Sequence, residues 1–185
     1  ILNGHKSEIN YLKLSSNDNF LVSCADEGNV RIWDVKLRKM VGTLKHDDRV
    51  RSVDFNSNDE WIVTGCNDKI IRLWDRKREN TFARLIGHSN TIHCVRFDSS
   101  DTRIVSCGRD GKILIWDIEQ KQSVSNFQES THSIVTVQFC FNDTKIISAS
   151  EDNSVRLWNV STSECILQLS LRGGFSCMAF HADGV

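Results

Sequence analysis

Proline is absent from this 185-residue chain, although proteins rich in turns commonly use it. Long apolar runs are absent too: none approaches the roughly 18 residues of a membrane-spanning helix, and no signal-peptide pattern opens the sequence. A strong excess of either charge is also missing, since the formal net charge is -1. These absences predict no membrane span and give no indication of a nucleic-acid partner.

Recognisable sites for catalysis, metals and cofactors are lacking as well. The seven cysteines are an odd number, and no Cys-x-x-Cys or zinc-ligand spacing relates them. Cys24, Cys66 and Cys107 fall instead in equivalent short apolar runs, where cysteine behaves as a small buried hydrophobe. No phosphate-binding loop or pair of catalytic carboxylates is visible. We therefore expect reduced thiols, no metal, no cofactor, and an intracellular protein, either cytoplasmic or nuclear.

What the sequence does contain is a repeat. Four similar stretches end in Trp33, Trp74, Trp116 and Trp158, so successive tryptophans lie 41, 42 and 42 residues apart. The clearest copy runs from Gly87 to Asp117. A period near 42 residues that extends over most of the chain indicates a repeat architecture built from supersecondary units.

Each unit has four short apolar runs of the kind that form strands. In the first run, Val95 and Phe97 and their equivalents alternate with polar residues, which is the period of a strand. The preceding apolar position, Ile92, lies three residues before Val95, so we expect one inserted residue, as in a β-bulge. The second run is apolar at adjacent positions, Ile104 and Val105, which indicates a strand covered on both faces.

Polar turns join these runs into a four-stranded antiparallel meander. Because both faces of such a sheet are apolar, one sheet cannot bury its own surface, and the copies must stack face to face. A radial stack of four-stranded sheets is a β-propeller. The sequence therefore predicts an all-β protein.

The stretch from Gly87-His88 to Trp116-Asp117 resembles the WD repeat of β-propellers, and the resemblance covers essentially the whole chain. It implies a WD-repeat β-propeller with four recognisable blades plus the first strand of a fifth, as an excerpt of a seven-bladed ring. The approximate units are residues 1–45, 46–86, 87–128 and 129–170, with a partial unit at 171–185. The presence of Ile1 in place of an initial Met agrees with this expectation.

The resemblance also implies a buried hydrogen-bond relay in each blade, from the Trp N–H to a Ser or Thr hydroxyl, then to a His, and then to an acid in a tight turn. The expected members are His5, Ser23, Glu27 and Trp33 in unit one; His46, Thr64, Asp68 and Trp74 in unit two; His88, Ser106, Asp110 and Trp116 in unit three; and Ser148, Asp152 and Trp158 in unit four. The residue types are those of a catalytic triad. They recur at constant offsets, however, whereas an active site is singular, so we interpret them as structural and predict a non-enzymatic protein.

Several units depart from the repeat pattern. Glu27 replaces the usual Asp in unit one, Lys45 replaces the Gly before His46, and unit four has Glu129-Ser130 where Gly-His should stand. Units two and three contain the complete set of relay residues, and we expect these departures to weaken the relays of units one, two and four.

Partner binding is expected at repeat positions whose residue type varies from unit to unit; we call a set of equivalent positions in the four units a column. In the family these variable columns are exposed on the narrower face of the propeller near its channel. They are Glu8, Asn10 and Asp26 in unit one; Arg49, Arg51 and Asn67 in unit two; Thr91, His93 and Arg109 in unit three; and Ser133, Val135 and Glu151 in unit four. Arginine suits carboxylate or phosphate recognition, because its planar fork binds two oxygens. No aromatic residue occupies these columns, which argues against a methyl-ammonium cage and against base stacking.

The sequence thus predicts a non-enzymatic scaffold that binds a partner protein or peptide on the narrower face of the propeller. Two alternatives remain open. One is a reader of phosphopeptides, phospholipid headgroups or other acidic ligands through Arg49, Arg51 and Arg109. The other is a repeat segment of a larger regulatory protein whose catalytic or ATPase module lies outside this chain.

Overall fold

The computed structural model describes residues 2–128 and 132–171, and all the secondary-structure elements within these ranges are β-strands. The first half contains β1 Ile9–Leu14, β2 Phe20–Ala25, β3 Asn29–Asp34, β4 Lys39–Lys45, β5 Val50–Phe55, β6 Trp61–Cys66, β7 Ile70–Asp75 and β8 Asn80–Ile86. The second half contains β9 Ile92–Phe97, β10 Arg103–Gly108, β11 Lys112–Asp117, β12 Gln122–Gln128, β13 Ile134–Cys140, β14 Lys145–Ser150, β15 Ser154–Asn159 and β16 Cys165–Ser170. No helix that could cross a membrane is found in these ranges.

The strands form four antiparallel sheets, each of four strands in sequential order: β1–β4, β5–β8, β9–β12 and β13–β16. We call these sheets blades one to four. The first strand of each blade packs against the first strand of the next, so β1, β5, β9 and β13 line the inner side of an arc. The predicted all-β propeller with four blades is confirmed. The predicted strand of a fifth blade lies in residues outside the described ranges, and the seven-bladed ring stays a prediction.

The predicted bulge in the first strand is confirmed in all four blades. In blade three, β9 and β10 stay in register from Phe97 to Cys94, and the pairing then shifts so that Ile92 lies opposite Gly108. The same shift occurs at the start of β1, β5 and β13. A second irregularity, which the sequence analysis did not predict, falls between the third and fourth strands beside each Trp, such as between Ile115 and Trp116.

The core lies between blades rather than inside any one of them. Ile104 and Val105 are adjacent on β10 and fully buried, yet Ile104 packs in the cluster between blades two and three and Val105 in the cluster between blades three and four. The second strand is therefore covered on both faces, as its paired apolar columns predicted. Each interior blade depends on its neighbours to bury its apolar residues.

Aspartates in the turn after the first strand of a blade also join that blade to the preceding one, through hydrogen bonds. Asp59, Asp101 and Asp143 adopt φ angles of 58–61°, a left-handed conformation that few residues besides glycine adopt readily. Each carboxylate accepts a backbone N–H from the corresponding turn of the preceding blade: Ser16 N to Asp59 at 2.7 Å, Ser57 N to Asp101 at 2.9 Å, and Ser99 N to Asp143 at 2.9 Å. The turns of adjacent blades are thereby interlocked.

Both ends of the arc expose apolar side chains of the kind that neighbouring blades cover elsewhere. On β1, Leu12 and Leu14 are 52% and 44% exposed. Every residue of β16 is exposed, including Ile166 and Leu167. Blades two and three are the two that are packed on both faces, and they therefore hold the best-supported part of the inner surface.

Candidate functional site

Blade three contains the relay in full. The Trp116 indole N–H donates to Ser106 Oγ at 2.8 Å, Ser106 Oγ lies 2.7 Å from His88 Nε2, and His88 Nδ1 lies 2.9 Å from Asp110 Oδ2. All four side chains are buried. Gly87 leaves room for the indole, because a Cβ at this position would lie 2.9 Å from the Trp116 ring. The unit-three relay thus links its third strand to the turn that precedes the blade.

Blade one also contains an unbroken relay, although we expected Glu27 to weaken it. Trp33 donates to Ser23 Oγ at 2.8 Å, His5 Nε2 lies 2.6 Å from the same oxygen, and His5 Nδ1 lies 2.9 Å from Glu27 Oε1. Glu27 also accepts from Arg31 at 3.1 Å. The extra methylene of glutamate lets one carboxylate reach both the histidine and the arginine.

Blade two has the complete set of relay residues but not the complete set of hydrogen bonds. Trp74 and His46 both contact Thr64 Oγ1, at 3.0 and 2.8 Å, but His46 Nδ1 has no hydrogen-bond partner among the described residues. Asp68 lies instead 2.7 Å from the guanidinium of Arg72. The relay of unit two is therefore incomplete, because the arginine four residues after the acid holds the short aspartate side chain.

Blade four resembles blade two at the acid. Trp158 donates to Ser148 Oγ at 3.0 Å, while Asp152 forms a 2.9 Å ion pair with Arg156. Residues 129–131, where the family pattern would place Gly-His, lie outside the described ranges. Because these hydrogen bonds recur blade by blade and sit inside the sheets, they hold strands together and do not form a distinct reaction site.

A cavity of about 850 Å³ lies on the concave side of the arc. Eight of the twelve predicted partner-binding residues line it: Asn10, Arg49, Arg51, Asn67, Thr91, His93, Arg109 and Val135. The lining also includes Tyr11, Ser52 and Arg96, so four arginines and no carboxylate face this space. The structure therefore places most of the variable columns around one concave surface, which we call the channel face.

Four predicted residues lie outside the cavity lining. Ser133 contacts His93, with Ser133 Oγ 3.3 Å from His93 Nδ1, and the Glu151 N–H donates to the Ser133 carbonyl. Burial lowers the pKa of His93, although the negative charge of Glu151 opposes this effect. Glu8 is exposed at the start of blade one, and Asp26 lies behind the arginines.

The arginines of blade two are held more firmly than the sequence predicted. Arg51 donates to Asn67 Oδ1 and to Asn10 Oδ1, both at 3.1 Å, and lies 3.5 Å from Asp26. It therefore joins blade two to blade one, a packing role that the sequence did not indicate. Arg49 also pairs with Asp26, at 3.3 Å, but 54% of its side chain is exposed.

Arg109 is different from the other arginines of the channel face. It is exposed, and its guanidinium makes no hydrogen bond or ion pair with any residue in the described ranges. Its backbone N–H is held by the Thr91 carbonyl at 2.8 Å, so the side chain projects from a fixed position in the turn after β10. Of the predicted binding residues, Arg109 carries the charge that is most available to a ligand.

Arg96 makes a set of contacts between blades that the sequence did not predict. Arg96 donates to the hydroxyl of Tyr11, the only tyrosine of the chain, at 2.5 Å and to Ser52 Oγ at 3.0 Å. The guanidinium also lies 4.5 Å from the centre of the Tyr11 ring. Three blades are joined by these contacts. The available signal is that the polar residue between Val95 and Phe97 is an arginine on the innermost strand; alternation alone predicts only that this residue is polar.

The inner strand edges of blades two and three are covered by side chains of neighbouring blades. Ser52 Oγ and Asp54 Oδ2 accept the N–H groups of Val95 and Phe97 at 3.2 and 3.1 Å. Asn10 donates to the Val50 carbonyl at 2.8 Å. An extended peptide therefore meets occupied backbone groups here, and recognition on this face depends on side chains.

A family model described as "Nucleolar protein 10-like, N-terminal domain", a β-propeller domain, matches residues 2–184. The chain belongs to this family. A curated relative, a WD repeat-containing protein 89 homolog of Dictyostelium discoideum, is 37% identical over 54 residues, which are 29% of this chain and 15% of that protein. Both similarities place the chain among the WD-repeat β-propellers.

WD-repeat β-propellers typically serve as protein-interaction scaffolds and are generally non-catalytic. The recurrent relays of this propeller agree with that description, because they occupy the interior of each blade. The surface that differs from blade to blade is the channel face, so this is where binding specificity is best sought.

Proposed function

We propose that the channel face of blades two and three binds an acidic or phosphorylated segment of a partner protein. The observation that carries this proposal is the lining of the cavity, which has four arginines and no carboxylate. The whole chain has a net charge of -1, so the positive charge is concentrated locally and is not a general property of the surface. Concave surfaces lined by charge of one sign attract ligands of the opposite sign.

Arg109 and Arg49 are the side chains that would contact the segment. Arg109 is exposed and makes no charged contact within the described residues, so binding an anion through it breaks no bond to any of them. Arg49 is paired with Asp26, but exposed ion pairs contribute only about 0–1 kcal/mol, so a partner's carboxylate or phosphate can replace that contact at low cost. Arg51 and Arg96 are engaged by protein groups and would act mainly through their charge.

We also propose a nuclear, and specifically nucleolar, location, and that this propeller serves within a longer protein. Both rest on the description of the family, which names a nucleolar protein and an N-terminal domain. Imaging of a fluorescent fusion of the full-length protein beside a nucleolar marker tests the location, and exclusion of the fusion from the nucleus would contradict it.

Three peptides of equal length test the binding proposal: one rich in Glu, one with phosphoserine replacing part of the Glu, and one with Gln in place of every acid. Titration calorimetry should detect the first two and not the third, and added salt should weaken both by screening. The ratio between the two affinities tells whether carboxylate or phosphate is preferred. Vesicles with anionic headgroups form a separate arm, and binding to vesicles without binding to either acidic peptide would contradict a protein partner.

The matched variants are Arg109→Ala and Arg78→Ala. Arg109→Ala should weaken binding of the better peptide by at least about tenfold, which corresponds to roughly 1.4 kcal/mol. Arg78 is equally charged and 78% exposed, but it follows β7 at a turn outside the cavity lining, so Arg78→Ala should leave the affinity unchanged. Equal losses in the two variants would show a non-specific effect of net charge and would rule out the proposed face.

A further inference from the structure

Two cysteines face each other across adjacent strands of blade three. Cys94 on β9 and Cys107 on β10 are directly opposed in the antiparallel register. Both are buried, with 3% and 0% exposed, and their thiols donate to backbone carbonyls of β13, Cys94 to Val137 at 3.5 Å and Cys107 to Ile134 at 3.6 Å. No other two described cysteines are opposed in any strand pair. Equivalent positions in different blades do not reveal this pair, because both of its cysteines belong to one blade.

Opposed residues of an antiparallel pair have the Cα spacing that a disulfide needs. Their Cα atoms are about 4.5–5.5 Å apart, inside the range of roughly 4.4–6.8 Å found for disulfides. Their Cβ atoms, about 4.5–5.5 Å apart, must approach to the roughly 3.5–4.5 Å of a bridged pair. A bond between Cys94 and Cys107 therefore requires a small local movement, and the resulting strain makes it easy to reduce.

The surroundings of Cys94 favour reaction at its sulfur. Cys94 lines the channel cavity, through which a small oxidant can reach it, and Thr136 Oγ1 donates to its sulfur at 3.7 Å. The hydrogen bond from Cys107 lowers the pKa of Cys94 below that of an ordinary thiol, against the effect of burial, and the positive charge of Arg96 adds to the lowering. Burial instead raises the pKa of Cys24 to about 12, so that thiol is inert.

We propose that Cys94 and Cys107 form a reversible redox pair that closes to a disulfide when a hydroperoxide is present. The Cys94 thiolate attacks one oxygen of hydrogen peroxide, so that an S–O bond forms, the O–O bond breaks, and hydroxide leaves and is protonated to water. The sulfur of Cys107 then attacks the sulfenic sulfur of Cys94, the S–S bond forms, and the departing hydroxyl takes the Cys107 proton as a second water. Two thiols are oxidised and one peroxide is reduced to two waters.

The chemistry of this pair is independent of the proposed partner. Its location connects the two, because Cys94 follows His93 directly in the wall of the channel face. Closing the bond would draw β9 toward β10 at this wall, so oxidation would change the surface that blade three presents.

Peptide mapping of the full-length protein tests the pair directly. Reduced protein is treated with hydrogen peroxide, the remaining thiols are blocked with N-ethylmaleimide, and the tryptic peptides are analysed without reduction. Trypsin places Cys94 in the peptide 85–96 and Cys107 in the peptide 104–109, so the disulfide gives one mass that joins the two. We expect this linked mass to form before any other cysteine pair and to disappear with dithiothreitol. Absence of the link when the exposed Cys165 is already oxidised would overturn the proposal.

Three variants distinguish the proposed order of steps from random oxidation. Cys107→Ser should stop the reaction at the sulfenic acid of Cys94, which dimedone labels, whereas Cys94→Ser should abolish both the label at position 94 and the link. Cys66→Ser removes a buried cysteine that has no opposed thiol and should leave the link intact. The wild-type result does not depend on the folding of any variant, and a link that forms only in urea-unfolded protein would show that the native pair is not the reacting species.

Discussion

The residue four positions after the turn acid decides whether that acid reaches the histidine of the relay. Blade three has Leu114 at this position, and Asp110 contacts His88. Blade two has Arg72, and Asp68 contacts the arginine instead. Blade one also has an arginine there, but its longer Glu27 contacts both groups. The histidine and the arginine therefore compete for one carboxylate. The longer Glu27 side chain binds both groups, whereas the shorter Asp68 binds only the arginine.

This competition predicts an unusual titration for His46. Burial lowers its pKa to about 4, and the nearby charge of Arg72 adds to the lowering. Because the folded pKa lies below the ordinary value of 6.5, the unfolded chain takes up the proton first, and the contribution of His46 to stability is lost as the pH falls from 6.5 toward 4. Titration of the histidine ring resonances by NMR should place the His46 midpoint near 4, and a midpoint near 6.5 would contradict the proposed environment.

A substitution copied from blade three provides the control. Arg72→Leu should free Asp68 to accept from His46 Nδ1, as Asp110 does from His88, and should therefore raise the pKa of His46. Arg31→Leu, the same change in blade one, lies outside this cluster and should leave the His46 midpoint where it is. If Arg72→Leu does not move that midpoint, the arginine is not what diverts Asp68.

The sequence located the relay residues but not all of their bonds. The columns of Trp, Ser or Thr, His and acid could be predicted because each recurs at a constant offset in the repeat. The diversion of Asp68 could not, because we judged the acid by its type and did not compare Arg72 with Leu114 in the same column. Arg51 was misjudged for a related reason: its contacts with Asn10 and Asp26 cross a blade boundary, and a column pattern does not show which columns meet.

At the scale of strands and turns, the interlocking aspartates carry the contact between successive blades. Asp101 accepts the backbone N–H of Ser57 at 2.9 Å and its hydroxyl at 2.6 Å, while its own backbone has a φ of 58°. Asp18 has the same φ, yet its carboxylate makes no hydrogen bond with any residue in the described ranges. A comparison of substitutions at Asp18 and Asp101 therefore separates the free-energy cost of the left-handed backbone from the stability that the hydrogen bonds contribute.

Substitution at these turns should separate the two effects. In the 185-residue chain, Asp101→Ala should lower the free energy of unfolding by about 1–2 kcal/mol, because charged hydrogen bonds are lost and alanine is forced into the left-handed region. Asp101→Gly should cost less, since glycine accepts that conformation freely. Asp18→Gly should be neutral or slightly stabilising. Denaturant titration measures all three, and equal losses at positions 18 and 101 would show that the bonds to Ser57 contribute nothing.

Strands were the part of the fold that the sequence predicted best. The alternation of Val95 and Phe97 predicted a strand, and the three-residue step back to Ile92 predicted the first bulge. The paired apolar residues of the second strand predicted that both of its faces are covered. The second bulge beside Trp116 was missed, because an apolar residue on either side of a bulge looks like ordinary alternation when one face is as apolar as the other.

At the scale of the whole molecule, four blades form an arc. The cavity on its concave side is lined by four arginines and no carboxylate, although the chain as a whole has a net charge of only -1. Blades two and three are supported on both sides, so Arg49 and Arg109 are presented from the best-packed part of the structure. Arg51 and Arg96 are fixed between blades and keep the charge in place. The molecule thus combines a rigid repeated framework with one local surface that differs from blade to blade.

The most direct measurement is the affinity of the natural partner for the double variant Arg49→Ala with Arg109→Ala. Arg51 is left in place because its bonds to Asn10 and Asn67 join two blades, and Arg51→Ala should lower the melting temperature. The double variant should keep the melting temperature of the wild type and bind the partner at least about tenfold more weakly, roughly 1.4 kcal/mol. Unchanged affinity in a folded double variant would show that the partner binds elsewhere, on the rims of the blades, and that the channel face is not the functional surface.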